Sequence, residues 1–152
     1  MLSRLKIVLF ICFFSNLSYA INDDQFIKIK DLIELQNIEK SFQLLKIIQS
    51  TENKLSAKTS ILFGKIYLEL EKPSKAYKFF ESVLFLSSSF DDYAYAGMAN
   101  SEFMLGNLDK AKEFLDKSLK INPDFLDSKI ILAQILAEQN LYNESKKIFL
   151  SS

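Results

Sequence analysis

The sequence predicts an all-α fold of stacked two-helix units, and three observations carry that prediction. Segments with apolar residues at three- and four-residue spacing alternate with short polar breaks at Gln36-Asn37, Glu71-Lys72-Pro73, Gly106-Asn107 and Gln139-Asn140, which recur every 33 to 35 positions. A small residue follows each break at a similar offset, at Ser41, Ala76, Ala111 and Ser145, in steps of 35, 35 and 34. Only 3 glycines and 2 prolines occur in 152 residues, too few of the breakers that short strands and hairpins need. The apolar fraction of 49% and charged fraction of 25% fit one folded domain and not a disordered chain.

The first element, residues 1–20, reads as a signal peptide. Arg4 and Lys6 form a basic start, Ile7 to Phe14 is an unbroken apolar run, and Ser18-Tyr19-Ala20 places small residues at a cleavage site after Ala20. A spanning helix needs about 20 apolar residues, and Ser15, Asn16 and Ser18 interrupt this run. Export to a secreted or periplasmic location is therefore expected, with an uncleaved inner-membrane anchor as the alternative. Cleavage removes Arg4, Lys6 and the single cysteine, Cys12, leaving 17 basic against 19 acidic residues. That near-neutral balance, with both signs interleaved, offers no basic stripe for nucleic acid.

The helical domain, residues 21–152, divides into units at about 22–55, 57–90, 92–125 and 126–152, the last shortened. The small residue of each unit marks a helix crossing, where a bulky side chain would hold the helices apart. Pro73 suits the first turn of a helix, because the N–H it lacks would be unpaired there, and Gly106 suits a helix end by accepting a left-handed conformation.

These residues resemble the tetratricopeptide repeat family. The likeness is densest in Asp92 to Phe125, where Ala99, Gly106, Ala111, Leu119, Ile121 and Pro123 fall on signature positions, and Leu119 to Asp124 resembles the end of a family repeat. Ala57 to Phe90 is similar through Gly64, Tyr67, Ala76 and Phe80. The first unit departs from the pattern with Ile29 in place of a small residue, and in the third an expected aromatic is replaced by Glu102 and displaced to Phe103. The resemblance implies a right-handed superhelical stack of antiparallel hairpins, about four in number. With the leader, the resemblance implies an exported bacterial member of the family.

In this family the first helices of successive hairpins line a concave groove that holds a peptide or helix of a protein partner. Carried over by position, that face comprises Phe26, Lys30, Ile33 and Glu34, then Ile61, Lys65, Leu68 and Glu69, then Tyr93, Ala96, Asn100, Phe103 and Met104, then Ile130, Gln134 and Ala137. Lys65 and Asn100 are expected to hydrogen-bond a peptide, with Tyr93, Phe103 and Met104 as apolar contacts. The competing reading packs Phe103 and Met104 against neighbouring helices and leaves Lys65 in water. Ile61 and Tyr93 stand where terminal-carboxylate clamps of the family need lysine.

Zero His removes the usual general base, proton shuttle and commonest metal ligand, so neither a metal nor a cofactor is expected. Glu69 with Glu71 and Asp91 with Asp92 are the candidate acid–base pairs for a hydrolase. Residues two apart on a helix diverge, and paired acids before a helix serve its positive end. The expectation is thus a non-catalytic adaptor or scaffold of the periplasm or cell envelope. A structural accessory of pilus or exopolysaccharide export is the alternative, and a carboxylate hydrolase a remote third. Self-association through the apolar last unit, Ile148-Phe149-Leu150, is also expected.

Overall fold

The computed structural model describes residues 21–51 and 55–150, so the leader lies outside the described residues. Those residues form eight α-helices: α1 (Asp23–Glu34), α2 (Ile38–Thr51), α3 (Ala57–Glu69), α4 (Pro73–Val83), α5 (Asp91–Met104), α6 (Leu108–Ile121), α7 (Leu126–Glu138) and α8 (Tyr142–Leu150). A 3₁₀ turn at Ser88–Phe90 leads into α5. Helices pair as consecutive hairpins, and each hairpin packs on the next. The all-α stack of helix hairpins expected from the periodicity is the architecture found.

Local chemistry starts and stops these helices. Asn22 caps α1, its side chain accepting from Gln25 N at 2.8 Å while Gln25 Oε1 accepts from Asn22 N at 3.2 Å. Ser56 caps α3 through Thr59 N, and Pro73 opens α4. Every polar break is a turn with one left-handed residue, at Gln36, Glu71, Gly106 and Asn140, with φ between 54° and 80°. Each closes the same pair of bonds. Gln36 N donates to Ile33 O and Asn37 N to Leu32 O, and the pattern repeats from Glu71 and Lys72, Gly106 and Asn107, and Asn140 and Leu141.

Ser41, Ala76 and Ala111 are fully buried at the hairpin crossings. Ser145 instead bonds across its hairpin, Oγ donating to Ala133 O at 2.7 Å. The interior is a run of linked apolar layers, from Ile29, Leu45 and Phe63, through Phe80, Val83 and Met98, to Ala99, Leu115 and Ile135.

The middle layer turns on Phe80, which is 1% exposed. A Cβ on Gly64 would come 2.6 Å from its ring, and one on Gly97 would come closer still. The ring thus occupies the space of two missing side chains on α3 and α5. The neighbouring hairpins divide volume differently. Ile29 and Leu45 share the first layer, and Ala99 and Leu115 the third, at positions equivalent to Gly64 and Phe80. A smaller residue on the second helix of the hairpin is what makes room for Ile29.

Glu102 stands where an aromatic is expected and is 7% exposed. Asn107 Nδ2 donates to its Oε2 at 2.6 Å, and Asn107 N to its carbonyl at 2.9 Å, so the carboxylate is held by the turn that follows its helix.

Overpacking costs about 1–3 kcal/mol, so Gly64→Ala lowers the stability of the fold by that order in a urea titration. Combined with Phe80→Leu, which recreates the Ala–Leu pairing of the third hairpin, the loss is smaller than the sum of the two single losses. Gly106→Ala is the contrasting case: open space surrounds the site, and its φ of +80° is the only obstacle. It costs roughly 1 kcal/mol, and Phe80→Leu gives it no relief.

Candidate partner-binding groove

Stacking brings the first helix of every hairpin, α1, α3, α5 and α7, to one side, where they enclose a cavity of about 290 Å³. Equivalent positions of successive hairpins form rows along it. Lys30, Lys65, Asn100 and Gln134 make one polar row, so two amines are followed by two amides. Ile33 and Leu68 flank it on one side, and Ala96 and Ile130 on the other. Gly97 and the buried Phe80 also line it, and the exposed Glu34 and Glu69 stand at the lip.

Of the five side chains singled out from sequence, Lys65, Tyr93 and Asn100 line this cavity. Phe103 and Met104 do not line it. Phe103 packs into the third layer beside Leu108 and Leu132, and Met104 is 42% exposed in the last turn of α5. Phe103 is the repeat equivalent of Ile33 and Leu68, which do line the cavity, but in the third hairpin that position packs into the apolar layer instead. Lys30, Ile33, Glu34, Leu68, Glu69, Ala96, Ile130 and Gln134 of the wider expected face also reach the cavity wall.

Electrostatically the groove is cross-linked. Lys65 Nζ donates to Asp127 Oδ2 at 2.8 Å, an ion pair that joins α3 of the second hairpin to α7 of the fourth. Lys30 pairs with Glu34 of its own helix at 3.5 Å. The side-chain amides of Asn100 and Gln134 make no hydrogen bond among the described residues. Asp127 was missed in the sequence reading. Its one available signal was register, because it lies 34 positions beyond Tyr93, one repeat further along.

Tyr93 sits edge-on to Phe125, ring centroids 4.6 Å apart. Burial pushes its hydroxyl above the ordinary value of 10.0, Lys30 pulls it back, and Asp127 and Asp92 add to the rise. The phenol is therefore a neutral hydrogen-bonding group at physiological pH.

Of the carboxylates considered for catalysis, Asp92 serves the scaffold. Asp92 accepts from Tyr93 N at 2.9 Å and from Asn122 Nδ2 at 3.2 Å, and its carbonyl accepts from Ser118 Oγ, tying the start of α5 to α6. Asp91 is in the first turn of the same helix. Glu71 lies in a left-handed turn, apart from Glu69 at the groove lip.

With this geometry in view, residues 93–125, which run from Tyr93 through α6 to Phe125, match the family model described as tetratricopeptide repeat. The match supports the tetratricopeptide repeat family. It falls on the segment in which the sequence resemblance is densest, and the same hairpin geometry is present on both sides of it. No curated protein matches the chain. Tetratricopeptide repeats are generally protein–protein interaction modules, and the groove lined by α1, α3, α5 and α7 is the surface such a stack offers. Among the described residues, no helix is long and apolar enough to cross a membrane.

A phenol whose folded value lies above its unfolded one favours the protonated fold, so its contribution is intact below pH 10.0 and is lost as pH rises through the folded value. Unfolding midpoints in urea therefore fall as the pH is raised above 10.0, and they fall less for Tyr93→Phe.

Proposed function

We propose that this chain is a non-catalytic adaptor of the bacterial periplasm or cell envelope that holds a peptide or helix of a partner protein in the groove of α1, α3, α5 and α7. The observation that carries the groove assignment is the pair of amides, Asn100 and Gln134, which make no side-chain hydrogen bond among the described residues and share one cavity with apolar Ala96 and Ile130. An amide offers both a donor and an acceptor, which is the complement of a peptide main chain. A volume of about 290 Å³ admits a few side chains of an extended segment. Support for export is the basic, apolar and small-residue succession of residues 1–20.

Crosslinking the full chain in an envelope extract, followed by mass spectrometry, tests both halves. A partner captured by the native chain and reduced about thirtyfold by Asn100→Ala with Gln134→Ala, each amide contributing about 1 kcal/mol, supports groove recognition. Capture that is indifferent to both changes sinks it. The amino terminus of the recovered chain should be Ile21, and recovery of an uncut chain from the cytoplasm would overturn the export half.

A further inference from the structure

Lys30 and Lys65 occupy equivalent positions on α1 and α3, and each has a glutamate four residues on, Glu34 and Glu69. Only Lys30 uses it. Lys65 turns away from Glu69, which forms no ion pair among the described residues, and reaches a carboxylate 62 positions along the chain. Asp127 belongs to the first turn of α7, so the bond runs from the second hairpin to the fourth, within the cavity that the small Ala96 and Gly97 of α5 also line. The mouth of the groove is thereby strapped by one of its own carboxylates.

We propose that Asp127 is an internal stand-in for a carboxylate of the partner, so that the groove selects an acidic peptide segment, which exchanges with Asp127 on Lys65. The proposal rests on the reading of the groove as a peptide site and names the chemistry that site takes. Three features favour this occupant. Lys65 already holds a carboxylate at 2.8 Å, so a binding position for that group is built. In both pairs the amine is the less exposed member, 22% against 37% for Lys65 and Asp127 and 34% against 61% for Lys30 and Glu34, which places the exchangeable carboxylates on the solvent side. A half-exposed pair of this kind is individually weak, so an incoming carboxylate meets little resistance, and it finds the neutral donors Asn100 and Tyr93 beside it.

The cavity wall carries three carboxylates against two amines, which by count alone favours a cationic segment. Position decides otherwise. Glu34 is engaged by Lys30 and Glu69 is exposed at the lip, whereas Lys65 lies in the polar row that a bound segment would follow. Asp127 stays tethered to α7, so exchange on Lys65 brings one further negative charge into the groove, and the freed carboxylate, the more exposed member of the pair, is left to water.

Selection of a displayed random dodecapeptide library on the full chain provides the probe, with the selected peptides then titrated against native, Asp127→Asn, Lys65→Gln and Asn100→Ala chains whose folding is checked by thermal melts. The expected peptides are enriched in Asp and Glu. They bind Asp127→Asn about three- to tenfold more tightly than native and Lys65→Gln more weakly by a similar factor, the range set by one half-exposed ion pair. Peptides that weaken on Asn100→Ala but show no acidic enrichment, or a basic one, overturn the proposal while leaving the groove as a peptide site. So does an unchanged affinity in Asp127→Asn. If no selected peptide responds to Asn100→Ala, the groove reading itself fails, and the stand-in role of Asp127 fails with it.

Discussion

The placement of Phe80 between Gly64 and Gly97 is the contact on which the middle of the molecule depends. Its ring belongs to α4, yet it fills space vacated on both α3 and α5, so one side chain sets the separation of two hairpins and of the two helices within one of them. Phe80 also lines the groove. The spacing of α3 and α5, and with it the reach from Lys65 toward α7, follows from that packing.

Other layers satisfy the same requirement with different residues. Where the second helix of the hairpin carries Leu45, the first can carry Ile29, and where it carries Leu115 the first carries Ala99. The share of the volume taken by each helix shifts from layer to layer, which is the tolerance expected of a close-packed interior. The turns behave likewise. One backbone geometry is shared by Gln36, Glu71, Gly106 and Asn140, only one of which is the residue with no steric penalty there.

These exchanges explain how much was legible in the sequence. The period of the breaks and small residues was enough for the stack of hairpins, because hydrophobic spacing and turn spacing agree over the whole helical region. The first hairpin looked irregular at Ile29 because its compensation, Leu45, lies sixteen positions away and is visible only in three dimensions. In the groove, Lys65, Tyr93 and Asn100 were reachable because register alone places them on one face. Phe103 and Met104 were not separable from them by spacing, since the width of the cavity mouth, and not helical phase by itself, decides what lines it. Asp127 depends on how far the stack curves, a property that no single repeat encodes. Glu102 reads as a defect in the pattern until the Asn107 amide is seen to receive it.

Repeat stacks are approximated as one-dimensional arrays in which each unit senses its immediate neighbours alone. The bond from Lys65 to Asp127 skips a unit, linking the second hairpin to the fourth. The third hairpin is consequently bracketed: its loosening disturbs two interfaces and also a tie between the units outside them. A chain of nearest-neighbour terms would let an end unit fray with no effect beyond the next. Here, loss of the fourth hairpin is felt directly by the second, and the array acquires a small loop in its network of couplings.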